Sequence, residues 1–256
     1  MTTRKGALGA LVRPTSTSLS ALAGNLRPAV ALQKIGDRIE WLSFSRKVDV
    51  VPCEGLVRIG TGYGGYIVPL GLIGPDWVCY SAGLGEDVSF ELELIRRRGC
   101  DVYAFDPTPK SIEYMSTLNE PKLHFRPYGL WGTDSTERFY VPRDPSHVSH
   151  SIANLQGTDD YIVAECRSVP SLMAELGHDH VDLLKLDVEG AEYGVLDSVV
   201  DAQLELGVLC VDFHRTSTVD AMAATVRRLA GLGLDPVHVY RTDVTFVARR
   251  LLGGGR

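Results

Sequence analysis

Three acidic residues that could form a reactive centre fall within six positions, in Asp187-Val188-Glu189-Gly190-Ala191-Glu192. The apolar run over 181–186 predicts a buried strand that delivers Asp187 at its carboxyl end, where open α/β sheets bind ligands. Glu189 follows on a loop, and Glu192 falls in the first turn of the next helix. Neighbouring acids repel one another unless a cation, a shared proton or hydrogen bonds offset the repulsion. The helix macrodipole accounts for Glu192 but less well for Asp187 and Glu189, which are therefore candidate functional residues.

A glycine loop lies earlier, where the strand Trp77-Val78-Cys79-Tyr80 runs into Ser81-Ala82-Gly83-Leu84-Gly85 and a helix begins. Glycines here let the backbone turn tightly and approach a ligand, with the amides of the helix N-terminus directed at it. About twenty residues later the strand Val102–Phe105 ends in Asp106, which is placed to hydrogen-bond a ribose diol. The loop alone is also compatible with a bare structural turn, but together with Asp106 it predicts a cofactor site.

The residues after the loop distinguish two cofactors. The pattern is G-x-G followed by Glu86 and Asp87, without the third glycine of a dinucleotide site. Acids at this point would repel a pyrophosphate, but they suit the cationic amino-acid portion of S-adenosylmethionine. The sequence therefore favours a methyl donor over NAD. Two alternatives stay open: an NAD(P)-dependent oxidoreductase, whose hydride-transfer apparatus we do not find, and a non-catalytic binding protein with a degenerate fold.

Methyl transfer to an alcohol requires removal of the hydroxyl proton, which a base, a divalent cation or both can assist. The strand Leu209–Phe213 ends at His214, with Asp212 two residues earlier on the same face. We expect this strand end beside Asp187, so that Asp187, Glu189 and His214 surround one substrate hydroxyl. These three residues could also hold Mg²⁺. The alternative is that His214 merely caps its strand.

Other histidines and the tryptophans offer weaker candidates. His147 and His150 fall in a polar loop, where either could be the base or a solvated surface residue, and His150 is the stronger catalytic candidate. His178 and His180 precede a strand and are expected to be structural. Trp131 is the best candidate for an aromatic side chain that faces a ligand, whereas Trp77 is expected in the core.

Hydrophobic periodicity predicts the elements that position these residues. We expect β runs at 56–59 and 66–68 (a hairpin around a glycine cluster), 77–80, 101–105, 124–128, 138–141, 181–186, 206–213, 237–240 and 245–247, and helices at 28–42, 86–98, 109–119, 168–177, 190–200 and 219–231. Strands alternating with helices predict an α/β fold with a mostly parallel sheet, to which the last hairpin adds an antiparallel strand. The expected organisation is an N-terminal helical or lid extension over 1–55, a cofactor-binding domain over 56–252 and a flexible tail over 253–256.

Three segments, WVCYSAGLGEDVSFE, VYAFDPTP and LLKLDVEGAEYGVL, occur in an order and spacing that resemble the FkbM-type methyltransferases. The resemblance covers roughly residues 56–215. It implies a class I methyltransferase fold, a Rossmann-like sheet of seven strands with the last strand antiparallel, and methyl transfer from S-adenosylmethionine to hydroxyl oxygens. The chain is also similar to small sugar O-methyltransferases, including one that acts on a methylmannose oligosaccharide, which implies a carbohydrate or glycosylated metabolite as acceptor and a role in polysaccharide biosynthesis.

The resemblance also assigns roles to individual positions. It places Ser81, Gly83 and Gly85 at the methionine end of the cofactor, Asp106 at the ribose, Gly129 and Leu130 near the adenine, and Asp187 towards the sulfonium. The first motif, Tyr80-Ser81-Ala82-Gly83-Leu84-Gly85, lacks the acid and the asparagine that the family usually has there. We therefore add Tyr80 and Glu86 to the candidate cofactor-binding residues, with Glu86 or Asp87 replacing the missing acid.

Composition restricts the remaining function classes. The formal net charge is −6, with acidic and basic residues interspersed, which argues against nucleic acid as a partner. The five cysteines form no C-x-x-C pair and suggest a reducing compartment. We find no long apolar segment for a membrane span or signal peptide, so we expect a cytoplasmic protein. A small-molecule acceptor is the expected partner, and the sequence is compatible with a homo-oligomer.

Overall fold

A computed structural model describes residues 41–144, 147–214 and 216–253. The chain divides into two units, residues 1–41 and 42–256. Residues 1–40 of the predicted helical or lid extension, which include nearly all of the predicted helix over 28–42, lie outside the described residues, as does the tail beyond residue 253. Within the second unit, residues 42–45 are helical. No helix in the described ranges is long and apolar enough to cross a membrane.

Besides the helical residues 42–45, the second unit contains twelve strands and six α-helices among its described residues. The strands are β1 (Leu56–Ile59), β2 (Tyr66–Pro69), β3 (Val78–Ala82), β4 (Asp101–Phe105), β5 (Leu123–Arg126), β6 (Gly129–Leu130), β7 (Ser135–Tyr140), β8 (Tyr161–Arg167), β9 (Leu183–Leu186), β10 (Val208–Asp212), β11 (Leu234–Tyr240) and β12 (Asp243–Ala248). The helices are α1 (Ser89–Arg98), α2 (Pro109–Ser116), α3 (Val169–Leu176), α4 (Glu192–Asp201), α5 (Val219–Gly231) and α6 (Arg249–Leu252), with a 3₁₀ turn at Leu70–Leu72.

Seven strands form one central sheet in the order β11-β12-β10-β9-β3-β4-β5. β9 pairs in parallel with β3 and β10, whereas β12 is antiparallel to both of its neighbours. The central strands are mostly apolar and buried because both faces of the sheet are covered, as is usual for parallel sheets. The predicted α/β fold with a mostly parallel sheet of seven strands and an antiparallel last strand is confirmed.

Two hydrophobic layers flank this sheet. Residues of α3, α4 and α5 pack with Tyr80, Leu184 and Leu209 on one face. On the other face, α1 and the β1–β2 hairpin pack with Cys79, Leu183 and Val208. Because consecutive residues of a strand point to opposite faces, neighbouring residues of β3 and β9 enter different layers. The functional groups must therefore come mainly from the loops at the carboxyl ends of the strands.

A second, smaller sheet has the strand order β6-β8-β7 and was not predicted from the sequence. The sequence predicted part of β7 but not its partner β8, whose side chains are mostly exposed or half-buried. Such a strand lacks the apolar run that marks a buried one, so its signal in the sequence is weak. Phe139 on β7 and Cys166 on β8 close over Gly129, where a Cβ atom would lie 2.6 Å from Phe139 Cζ.

Two helices begin later than predicted, for identifiable reasons. The helix expected from residue 86 begins at Ser89, because the Asp87 carboxylate accepts a hydrogen bond from Ser89 N (2.9 Å) and holds the preceding residues in a turn. The helix expected from residue 190 begins at Glu192. Glu189 and Gly190 have φ values of 48° and 105°, which are incompatible with a right-handed helix.

Candidate active site

A cavity opens at the carboxyl ends of β3, β4 and β9. Most of the predicted site residues line it: Gly83, Gly85, Asp106, Gly129, Leu130, His150, Asp187 and Glu189. This location follows from the topology, since the loops after adjacent parallel strands meet at one edge of the sheet. The cavity is the candidate active site.

Four predicted residues do not line this cavity. The Tyr80 hydroxyl is hydrogen-bonded to His178 Nδ1 (2.7 Å), and the ring packs against Phe105 in the layer below. The buried Ser81 hydroxyl donates to Glu91 Oε1 (2.5 Å) on the opposite face of the sheet. Both positions lie within β3, whose side chains enter the core, so only the backbone after residue 82 reaches the cavity. Glu86 lines an adjoining groove, and His214 lies behind Asp187 and Glu189.

The glycine loop and the loop after β9 are in direct contact. Gly83 has a φ of 78°, and a Cβ atom there would lie 1.7 Å from the carbonyl oxygen of Asp187. Gly83 N donates to Phe105 O (3.1 Å), and Asp187 N donates to Ala82 O (3.0 Å). Gly83 is therefore required by its conformation and by a close approach of two backbones.

Asp106 joins the ends of β3 and β4. Its Oδ2 accepts from Leu84 N (2.9 Å) and Gly85 N (3.0 Å), and its Oδ1 accepts from the amide (2.8 Å) and the hydroxyl (2.6 Å) of Thr108. A carboxylate has about four acceptor positions, and all four are used here. Holding a ribose through Asp106, as predicted, would require the diol to replace at least one of these donors.

A buried ion pair forms the floor of the cavity, and the sequence interpretation missed it. Lys185 Nζ lies 3.3 Å from Glu91 Oε1 and donates to Gly83 O (3.3 Å). Burial acts to lower the pKa of Lys185, but the charges of Glu91 and Asp187 outweigh it and raise the pKa above its ordinary value. The available signal was a single lysine inside the apolar run Leu183-Leu184-Lys185-Leu186.

His214 lies at the centre of an acidic cluster. Its Nδ1 donates to Glu192 Oε1 (2.5 Å), and its Nε2 donates to Glu189 Oε2 (3.1 Å). Burial acts to lower the pKa of His214, but the hydrogen bonds to Glu189 and Glu192 outweigh it and raise the pKa to about 12. His214 is therefore a cation at neutral pH, and the four nearest carboxylates include Asp187 and Asp212 at 4.0 Å and 3.8 Å from Nε2.

Glu192 has a larger role than the helix macrodipole implies. It is fully buried, occupies the first position of α4, and its Oε1 also accepts from Gly190 N (3.1 Å). It therefore orients His214 through the nitrogen that faces away from Asp187. Glu192 belongs to the acidic motif over 187–192, but its contact with His214 is formed only in the folded chain.

Two acids, Asp187 and Asp243, have raised pKa values. Burial, with the charges of Asp212 and Glu189, raises the pKa of Asp187 to about 7, although Lys185 and His214 act in the opposite direction. Burial, with the charges of Asp212 and Asp187, raises the pKa of Asp243 to about 7. Both groups therefore exchange protons near neutral pH, which is the condition for a general base.

The structure changes the grouping of the candidate metal ligands. Asp187, Asp212 and His214 each offer one ligand atom within 4.8 Å of the others. The sequence prediction was Asp187, Glu189 and His214. Glu189 instead occupies His214 Nε2 through a hydrogen bond, while Asp212 comes from the strand that ends beside Asp187.

Loop residues 147–150 close one side of the cavity. Burial acts to raise the pKa of Glu189, but the hydrogen bond and charge of His214, with a smaller contribution from a hydrogen bond of the Ser149 side chain, outweigh it and lower the pKa. His150 lines the cavity, and its Nδ1 donates to Val148 O (3.0 Å), leaving Nε2 as an acceptor. Ser151 Oγ donates to Glu189 O (2.5 Å) and stabilises its left-handed backbone. Trp131 packs against Gly194 rather than facing the cavity.

The strand order, the antiparallel last strand and the glycine loop at the head of the cavity define a class I methyltransferase fold. Residues 81–218 match the family model of the methyltransferase FkbM domain, which covers more than half of the chain. The chain belongs to this family. The assignment agrees with the methyltransferase prediction and does not support the oxidoreductase alternative.

Two mammalian relatives carry the name "Probable methyltransferase-like protein 24". The Homo sapiens protein is 30% identical over 139 residues, and the Rattus norvegicus protein is 30% identical over 138 residues. Each match covers 53% of this chain but only 32% of the relative. The matched region thus spans about a third of these relatives' length.

Solved structures align at low similarity. A precorrin-6y C5,15-methyltransferase from Geobacter metallireducens gives a TM-score of 0.38 at 13% identity, covering 78% of this chain and 92% of that chain. Aeropyrum pernix fibrillarin in complex with S-adenosyl-L-methionine gives a TM-score of 0.40 at 13% identity, covering 79% and 86%. Similarity at this level carries no functional argument.

Proposed function

We propose that this protein transfers a methyl group from S-adenosylmethionine to a hydroxyl of a sugar, oligosaccharide or glycosylated small metabolite. The observation that carries the proposal is the position of Asp187. This carboxylate lies at the edge of the cavity, beside the His214 cluster, and has a pKa near neutrality. Membership of a methyltransferase family supports the same conclusion.

The lining of the cavity fits S-adenosylmethionine in charge. Asp87, Asp187 and Glu189 line the cavity, whereas the Lys185 charge is paired with Glu91. Such a lining favours a cofactor with a positive sulfonium and ammonium.

When bound, S-adenosylmethionine would supply an electrophilic methyl group for attack by the acceptor oxygen. Asp187 would hold the proton that the acceptor hydroxyl releases, because a base is most effective when its pKa is close to the working pH. His214 is protonated and doubly hydrogen-bonded, so its role would be to hold Glu189 and Glu192 in place. His150, with Nε2 free to accept, is the alternative base.

We also propose a divalent cation on Asp187, Asp212 and His214. Two carboxylates suit Mg²⁺ or Mn²⁺, and the imidazole extends the choice to other transition metals. Glu192 would fix His214 through Nδ1 and leave Nε2 for the metal, as the outer-shell partner of a metal-bound histidine usually does. The cation would lower the pKa of the acceptor hydroxyl. Glu189 would have to release Nε2, and His214 would have to lose the proton on that nitrogen, because only a neutral imidazole binds a metal.

Calorimetry with S-adenosylmethionine and with NAD tests the cofactor. We expect binding of the first ligand alone, and an absence of S-adenosylmethionine binding would refute the proposal. A panel of mono- and oligosaccharides incubated with the protein and S-adenosylmethionine is then analysed by mass spectrometry for a methylated product. If the cofactor binds but no acceptor in a broad panel gains a methyl group, the non-catalytic alternative is favoured.

The Asp187→Asn variant tests the catalytic residue, with the exposed Glu113→Gln as a matched control. We expect Asp187→Asn to bind the cofactor and lose turnover by at least a hundredfold, the usual contribution of a positioned base. Near-normal turnover would remove Asp187 from the mechanism. Turnover that is unchanged after thorough chelation would eliminate the cation, while leaving the rest of the proposal intact.

A further inference from the structure

A groove adjoins the cavity at its mouth. Its lining residues are Tyr63, Glu86, Asp87, His147, Val148 and Ser149, and four of them (Tyr63, Asp87, Val148 and Ser149) also line the cavity. We call it the mouth groove. The two depressions are continuous, so a molecule in the mouth groove can extend a group into the cavity.

Tyr63 stands out in the mouth groove because it is 75% exposed. Tyr63 belongs to the turn between β1 and β2, for which the sequence predicts only a hairpin. An aromatic ring left in water gains no burial energy in the free protein, so its position at a cavity mouth is typical of a ligand contact.

The turn that carries Tyr63 is held firmly. Thr61 Oγ1 accepts from Tyr63 N (3.2 Å) and Gly64 N (3.1 Å) and donates to the Asp87 carboxylate. Thr61 N donates to Ser89 Oγ (2.8 Å) at the start of α1. A Cβ atom on Gly64 would lie 2.9 Å from Asp87 Oδ2, so the turn rests directly on Asp87, two residues before α1. The backbone that carries the ring is therefore fixed, which limits the entropy lost on binding.

The charge of the mouth groove restricts its ligand. Among the described residues that line the groove and cavity, Glu86, Asp87, Asp106, Asp187 and Glu189 are acidic, and Lys185 is paired with Glu91. Lys110 donates to His147 O (3.0 Å) but does not line the groove. A phosphate or carboxylate on the acceptor would meet like charges, whereas an uncharged ring would not.

The mouth groove is also linked to the reactive cluster. Ser149 lines the groove and hydrogen-bonds Glu189, whose carboxylate contacts His214 Nε2 at 3.1 Å. A ring placed on Tyr63 would therefore have its hydroxyls directed along a polar path towards the acidic cluster.

We infer that Tyr63 is a specificity-determining residue that stacks against an uncharged sugar ring of the acceptor, and that the groove carboxylates exclude phosphorylated or carboxylated acceptors. The inference rests on the proposed function, because it names the acceptor class of the same site.

Binding of neutral methyl glycosides and of the corresponding sugar phosphates is measured by saturation-transfer NMR, with the chain saturated by S-adenosylhomocysteine. Wild type is compared with Tyr63→Phe, with Tyr63→Ala and with Tyr161→Ala, an aromatic substitution outside the groove. We expect neutral glycosides to bind wild type, Tyr63→Phe and Tyr161→Ala alike, and Tyr63→Ala about tenfold more weakly, the upper range for one aromatic contact. Sugar phosphates should bind more weakly than neutral glycosides throughout.

Equal glycoside binding by Tyr63→Ala and wild type would overturn the role of Tyr63, and tighter binding of the phosphates would overturn the charge exclusion. Failure of wild type to bind any neutral glycoside would also overturn the inference. Calorimetry with S-adenosylmethionine, run on all four proteins, separates these results from a failure of the proposed function. Unchanged cofactor affinity in Tyr63→Ala is expected, since Tyr63 is assigned to the acceptor.

Discussion

Replacing Gly83 with alanine tests the contact that joins the glycine loop to the reactive strand. At a φ of 78° an alanine is strained by about 1–2 kcal/mol. The larger effect is steric, because the new Cβ would lie 1.7 Å from the Asp187 carbonyl oxygen, whereas real Cβ contacts are essentially never below 3.0 Å. One loop would therefore have to move by about 1.3 Å, the difference between these two distances.

A displacement of about 1 Å in a reacting geometry costs about a hundredfold in rate. We therefore expect Gly83→Ala to lower turnover by at least this factor and to lower the melting temperature by several degrees. Gly177→Ala is the matched control, since Gly177 has a φ of 73° and no atom within 4 Å of an added Cβ. It should show only the melting shift of conformational strain, about 2–4 °C per kcal/mol for a domain of this size.

Turnover is followed by transfer of a labelled methyl group, stability by differential scanning calorimetry, and cofactor affinity by titration. The prediction is contradicted if Gly83→Ala keeps turnover within about threefold of wild type and has the same melting temperature as Gly177→Ala. A loss of stability equal in the two variants, with turnover lost only in Gly83→Ala, would show that the loops separate without unfolding the domain.

Two further predictions concern the acidic cluster. With a chelator present, turnover should rise as the pH increases through about 7, because Asp187 has a pKa of about 7 and must lose its proton to act as the base; an acid limb near pH 4 would contradict the raised pKa. Glu192→Gln should lower the pKa of His214 from about 12, since it removes one of the two hydrogen-bonded carboxylates that raise it, and should destabilise the fold by about 1–3 kcal/mol. NMR titration of His214 and thermal unfolding measure these effects, and a stability equal to that of the Glu113→Gln control would show that Glu192 is not coupled to His214.

Elements with a strong apolar period were predictable, and those without one were not. β4 was predicted at its observed bounds, and β9 and β10 within two residues at either end, because buried parallel strands are continuous apolar runs. β8 was missed because it is largely exposed and its residues alternate only weakly. The start of α1 was placed too early, since the Asp87–Ser89 hydrogen bond that sets it involves a side chain whose geometry the periodicity does not contain.

The residues of the candidate site also divide into those whose position the sequence predicts and those whose position it does not. Asp106, Asp187 and the glycines could be placed at the cavity because each follows a predictable strand. Tyr80 and Ser81 were expected at the cofactor, but their side chains point into the two hydrophobic layers. Lys185 and Glu91 are 94 positions apart and meet only because β9 and α1 pack against each other.

The sequence by itself therefore determined the family, through the resemblance of three motifs, and the sheet and its cavity-lining edge, through local periodicity and the residues at strand ends. Only the tertiary structure decided which acids surround His214 and that Tyr63 stands at the cavity mouth. These arrangements depend on side-chain direction and on contacts between distant segments, which are set by packing and by the loss of solvent screening of charges on burial rather than by spacing along the chain.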